Sequence, residues 1–120
     1  MSPVVRPVRW VGSARRDIKA FPRAVQRDIG QALYAAQCGE AYPATKPLKG
    51  FGGASVREIR APFETDTYRA VYTVQFGLAL YVLHAFQKKA KKGRQTPKKD
   101  IDLIKRRLEL ARQDHQRRQH

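Results

Sequence analysis

The sequence predicts an α+β domain: a small antiparallel β-sheet preceded by a helical hairpin and followed by one helix. Three observations carry that prediction. Two amphipathic segments follow one another between residues 13 and 39. Three strand-like segments with short turns between them fill residues 55–87. An apolar stripe at helical spacing returns after Pro97. With 120 residues the chain can bury one modest core, so 1–120 is read as a single domain, its core spanning about 8–112 and its tail, 113–120, fraying.

Val4, Val8, Trp10 and Val11 predict a first strand, which Pro7 confines to a sheet edge because proline donates no ladder hydrogen bond. Ser13 is placed to cap a short helix reaching about Ala20, and Pro22 suits the first turn of a second helix. In that second helix Val25, Ile29, Ala32, Leu33 and Ala36 share a face, with Arg23, Gln26 and Arg27 on the other, until Gly39 ends it. Residues 40–53 lose periodicity and gain Pro43, Pro47, Gly50, Gly52 and Gly53, which predicts a loop that also holds Lys46 and Lys49.

Strands follow over about 55–61, 67–75 and 78–87, and their short connections make them antiparallel neighbours. The third is apolar at nearly every position, the pattern of a central strand covered on both faces. Residues 86–97, FQKKAKKGRQTP, hold five bases and no acid and are read as a loop. Thr96 is then expected to cap the last helix with Pro97 at its first position, and Ile101, Ile104, Leu108 and Ala111 form its apolar stripe.

Charge is the unusual property. The chain has 25 Lys and Arg against 10 Asp and Glu, a formal +15, and self-repulsion on that scale suits a polyanionic partner such as nucleic acid. Residues 1–85 carry 12 bases against 6 acids, whereas 86–120 carry 13 against 4, so the excess gathers at the C-terminal end. Cys38 is a lone cysteine, and His84, His115 and His120 lack ligand spacing, so neither a disulfide within the chain nor a structural metal is expected. No stretch is long and apolar enough to span a bilayer and the first residues do not form a signal peptide, which predicts a cytoplasmic protein without membrane contact. The nucleophile-elbow, P-loop, dinucleotide-binding and zinc-protease patterns are absent, and the few acids are scattered. What remains is cations on and beside a sheet, suited to holding phosphates.

KPLKG (Lys46 to Gly50), REIR (Arg57 to Arg60), YRAVY (Tyr68 to Tyr72), YVLHAFQKKAKK (Tyr81 to Lys92) and TPKKDI (Thr96 to Ile101) together resemble the HigB-type branch of the RelE/ParE toxins, over about Trp10 to Leu110. The resemblance implies the RelE-like fold and a toxin of a type II toxin–antitoxin pair. It implies an endoribonuclease needing neither metal nor other cofactor, which cuts mRNA on the ribosome and so inhibits translation, with the RNA 2′-OH as nucleophile. Its partner would be a helix-turn-helix antitoxin of the HigA type.

On this resemblance Arg69 contacts the scissile phosphate, and Lys88 or Lys89 stabilises the transition state or protonates the leaving oxygen. Lys49, Arg60, Lys91, Lys92 and Arg94 position RNA. The tyrosine that serves near the attacking hydroxyl in the best-known RelE pattern is missing from the last helix, leaving His84 as the candidate base. Duller readings compete: Arg69 as the ion-pair partner of Glu58, Glu64 or Asp66, the lysines as a solvated face, His84 as a hydrogen-bonded core residue, and Tyr68, Tyr72 and Tyr81 as core rather than base-stacking aromatics. Two other functions remain: a ParE-type gyrase poison, and a non-catalytic basic module that binds RNA or DNA.

Overall fold

A computed structural model describes residues 4–40, 42–53, 55–88 and 95–119. The elements run β1 (Val8–Trp10), α1 (Ala14–Lys19), α2 (Arg23–Gln37), β2 (Thr45–Pro47), β3 (Val56–Phe63), β4 (Asp66–Thr73), β5 (Leu80–Lys88) and α3 (Lys98–Arg118). The strands form one sheet in the order β1-β5-β4-β3-β2. The fold class is the expected α+β. No helix among the described residues is long and apolar enough to cross a membrane.

The sheet separates two apolar layers. On one face α1 and α2 bury Ala14, Ile18, Val25, Ile29 and Leu33 against Ile59, Ala70, Tyr72, Leu80 and Val82. On the other, Ile104 and Ala111 of α3 pack on Val56, Val71, Tyr81 and Leu83. The strand alternation that feeds both faces is broken once. Val71 pairs with His84 but Tyr72 pairs with Val82, so Leu83 is an extra, bulged residue in β5. The bulge lets Tyr81, Leu83, His84 and Phe86 all serve the α3 side, which is why β5 looks apolar throughout rather than alternating.

The structure departs from the sequence reading at several ends. β1 pairs parallel to β5 rather than antiparallel, because the helical hairpin intervenes between them. A three-residue strand, β2, forms inside the expected loop 40–53 and pairs with Arg57 to Ile59 of β3. β5 is interior as expected, but β4 holds the middle of the sheet, and β5 runs on to Lys88, into the segment read as loop. Ser13 and Thr96 do not cap their helices. The Ser13 hydroxyl donates to Asp17 at 2.7 Å, and the Thr96 hydroxyl turns to the sheet, leaving Pro97 at the cap position of α3.

Nor does α3 fray after Ala111. It continues to Arg118 because its last turns are tied down. The Tyr81 hydroxyl donates to Asp114 at 2.7 Å, His115 stacks on Phe76, and the Arg118 Nε donates to Asp114 at 2.8 Å. Those ties depend on β5 and the β4–β5 turn, which a scan of local composition does not see.

One side chain bolts the layers together. Arg107 of α3 donates through Nη1 to the Leu83 carbonyl at 3.0 Å and through Nη2 to Ser13 Oγ at 3.1 Å, joining α3, β5 and the start of α1. Burial lowers its pKa, opposed by the carboxylate of Asp17. Gly12 makes room for it: a Cβ there would lie 2.8 Å from the guanidinium, and φ at Gly12 is +57°. Gly12→Ala should therefore destabilise the protein by about 1–2 kcal/mol from the backbone alone, and more from the collision. Arg107→Ala should relieve part of that cost, seen as non-additivity of the double variant in denaturant melts.

Asp114 supplies an acid-sensitive tie. Hydrogen bonds from Arg118 and then Tyr81 hold its pKa down at about 2, below the ordinary 3.8. A carboxyl with a depressed folded-state pKa stabilises above its unfolded value and loses that contribution as pH falls through the folded one. Thermal melts should thus fall between about pH 4 and pH 2 by an increment that Asp114→Asn removes.

Candidate nucleic-acid interface

Strand register builds the site. Arg60 of β3 lies directly across from Arg69 of β4, and Arg69 across from Phe86 of β5. Alternation puts Glu58 on the same face as Arg60, two residues back along β3. This corner of the sheet faces the lead-in to α3, and the hollow between is a cleft of about 440 Å³ lined by residues that include Lys46, Lys49, Glu58, Arg60, Thr96 and Ile101.

Two guanidiniums directly opposed on a sheet repel each other, and a carboxylate reconciles them. The Glu58 side chain, only 3% exposed, accepts from Arg60 Nε at 3.0 Å through one oxygen and faces Arg69 Nη1 at 3.4 Å through the other. The Thr96 hydroxyl donates to that second oxygen at 2.9 Å and lies 3.4 Å from Arg69 Nη1. Arg60 keeps 30% of its side chain exposed whereas Arg69 keeps 4%, so Arg60 is the guanidinium more open to a ligand.

Lys88 ends β5 and donates through Nζ to the Gln95 carbonyl. Its pKa is lowered, first by desolvation and then by the positive charges of Arg69 and Arg60; Glu58 opposes the shift. Lys88 therefore shares the electrostatic field of the arginine pair.

The expected residues thus divide. Lys49 and Arg60 line the cleft, Arg69 lies buried behind it against Glu58 and Thr96 of its wall, and Lys88 stands beside them. Lys89, Lys91, Lys92 and Arg94 lie outside the described residues. His84 lies elsewhere on the face, 7% exposed and stacked on Phe86 with ring centroids 5.1 Å apart. Its Nε2 is 2.8 Å from Asp100 Oδ1 and its Nδ1 is 3.4 Å from Arg107 Nη1. Arginine only donates, so Nδ1 accepts and the hydrogen sits on Nε2, facing Asp100. Both ring nitrogens are engaged in holding α3 to β5, the reading given above as the duller one.

Sequence reasoning passed over Glu58 except as a partner for Arg69, and took Thr96 for a cap. The signal for Glu58 was available: REIR spaces an acid and a base by two, which on a strand places both on one face. Tyr72 and Tyr81 are buried and Tyr68 packs on Phe21 at 4.7 Å, so these rings are spent on packing. Removing the carboxylate from between its arginines leaves buried charge uncompensated. Glu58→Gln should cost about 3 kcal/mol in chemical denaturation, whereas Thr96→Ala should cost about 1 kcal/mol.

The family model described as "Phage derived protein Gp49-like (DUF891)" matches residues 16–109. A search of curated proteins finds no match. Among solved structures, a chain of the toxin-antitoxin complex RelBE2 from Mycobacterium tuberculosis is 21% identical, with 71% of this chain and 100% of that chain covered and a TM-score of 0.49. The family match takes in both arginines, Glu58, Lys88 and most of α3, and the chain belongs to the phage-derived Gp49-like family.

Proposed function

We propose that the protein is the toxin of a type II toxin–antitoxin pair and that it cuts mRNA at the cleft, without metal, by the RNA's own 2′-OH. One observation carries the reading. Lys46, Lys49 and Arg60 line the cleft, Arg69 lies buried behind Glu58 and Thr96 of its wall, and Lys88 stands within the electrostatic reach of both arginines. A unit charge about 4 Å from a phosphate gains about 4 kcal/mol at an effective dielectric near 20, before desolvation is subtracted. Several such charges therefore favour a doubly charged phosphorane over the singly charged diester that precedes it.

In this reading the 2′ oxygen attacks the adjacent phosphorus and loses its proton to solvent water, while Glu58 keeps the two arginines in place. The bond from phosphorus to the 5′ oxygen breaks, and Lys88 donates the proton that the departing oxygen takes up. The products are a 2′,3′-cyclic phosphate and a 5′-hydroxyl end. The lowered pKa of Lys88 suits it to give up that proton. Arg69 and Arg60 hold the non-bridging oxygens, and Lys49, with Lys89, Lys91, Lys92 and Arg94, guides the strand in. His84 acts at one remove, by fixing α3 against β5. The partners are a helix-turn-helix antitoxin of the HigA type and mRNA on the ribosome, in the cytoplasm.

Induction should arrest growth with truncated mRNA, and Arg69→Ala or Lys88→Ala should lower cleavage by about a hundredfold or more while leaving the melting profile of the fold recognisable. Arrest with intact mRNA and broken DNA would instead select the gyrase-poison reading. Weakened binding with no loss of toxicity would select the non-catalytic module. RNA affinity should drop with salt at a log–log slope of about −0.7 per neutralised phosphate.

A further inference from the structure

A second hollow, of about 370 Å³, opens at the other end of α3, between that helix and the edge strand β1; Arg9, Trp10, Tyr81, Leu110, Asp114 and Arg118 stand in its wall. Two of these are apolar and open to solvent. Trp10 is 39% exposed and Leu110 is 52% exposed. They reach the same hollow from different elements, the indole from the sheet edge and the leucine from the helix. The carboxylate of Asp114 is already held by Tyr81, Arg117 and Arg118, so it offers little charge to a newcomer. Arg9 and Arg118 leave the rim cationic. Ile101, in the cleft, precedes Asp114 by about 20 Å along the helix axis, and an occupant here need not touch the cleft.

We propose that this hollow docks an acidic segment of a partner protein, which sets an apolar side chain between Trp10 and Leu110 and lays its carboxylates against Arg9 and Arg118. Charge complementarity and the apolar pair together select that occupant. A chain with 25 bases and 10 acids attracts any polyanion. A nucleic acid, however, has a base to stack on Trp10 but no aliphatic group for Leu110. An acidic peptide bearing leucine or isoleucine satisfies both parts, and a tryptophan flanked by arginine is the composition of a binding hot spot. The docking stands independently of the chemistry in the cleft, since no residue of the hollow is assigned to RNA.

The chain has one tryptophan, so its emission reports on the hollow. The full-length protein is titrated with a synthetic peptide that alternates leucine and glutamate. Three probes of matched length accompany it: polyglutamate, a leucine–lysine peptide and a single-stranded RNA. The expected result is a saturable blue shift of Trp10 emission with the leucine–glutamate peptide, at an affinity about tenfold or more above the other three. Leu110→Asp and Arg9→Glu, each checked by circular dichroism, should weaken that binding by about tenfold. An equal response to RNA or to polyglutamate overturns the proposal, as does an unchanged spectrum with the leucine–glutamate peptide. If either variant fails to fold, the comparison of probes on the unaltered protein still decides. Cleavage of RNA by Arg69→Ala protein is not read in this experiment, so failure here leaves the ribonuclease reading untouched.

Discussion

Everything at the cleft depends on one carboxylate. The sheet sets Arg60 and Arg69 face to face, an arrangement whose repulsion would open the β3–β4 pair or turn the side chains away from each other. Glu58 lies between them with one oxygen for each, so the two guanidiniums stay fixed, Arg60 open to the cleft and Arg69 buried behind it. The cost of desolvating three charges is offset by their mutual attraction and by the hydroxyl of Thr96, which fills a remaining acceptor site. A buried polar network of this kind orients; it is not where the stability of the fold comes from.

Stability comes instead from the two apolar layers and from how β5 serves both. By admitting Leu83 as an extra residue, the strand gives α3 more apolar surface without taking Val82 and Leu80 from the other face. The same bulge orients His84 and the Leu83 carbonyl so that Arg107 can bind both. A helix held in this way covers the sheet only over part of its length, and the uncovered corner is the cleft. The scaffold and the site are thus two consequences of where α3 begins.

Much of this was legible locally. The spacing of Val25, Ile29, Ala32, Leu33 and Ala36 located α2, and the apolar density of 80–85 marked an interior strand. The cations at 49, 60, 69 and 88 could be named from composition and from resemblance. Glu58 could not be given its place, because its role arises from a register between strands that sequence separation hides. The caps failed for a related reason: Ser13 and Thr96 each had a nearby backbone to bind, but a charged partner, Asp17 for one and Glu58 for the other, competed for the hydroxyl and won. The extent of α3 was misjudged because polar residues after Ala111 look like a tail until Tyr81 and Phe76 are known to lie beneath them.

The amino-acid sequence alone determined the fold class, the order of the main elements and the excess of positive charge, because hydrophobic periodicity, proline and glycine placement and net charge act over short stretches of chain. Only the tertiary structure decided which cations face one another, that a single glutamate binds two of them, and that His84 is occupied on both nitrogens. Those outcomes depend on cross-strand register and on one bulge, and a shift of one residue in either would send the same side chains to the opposite face.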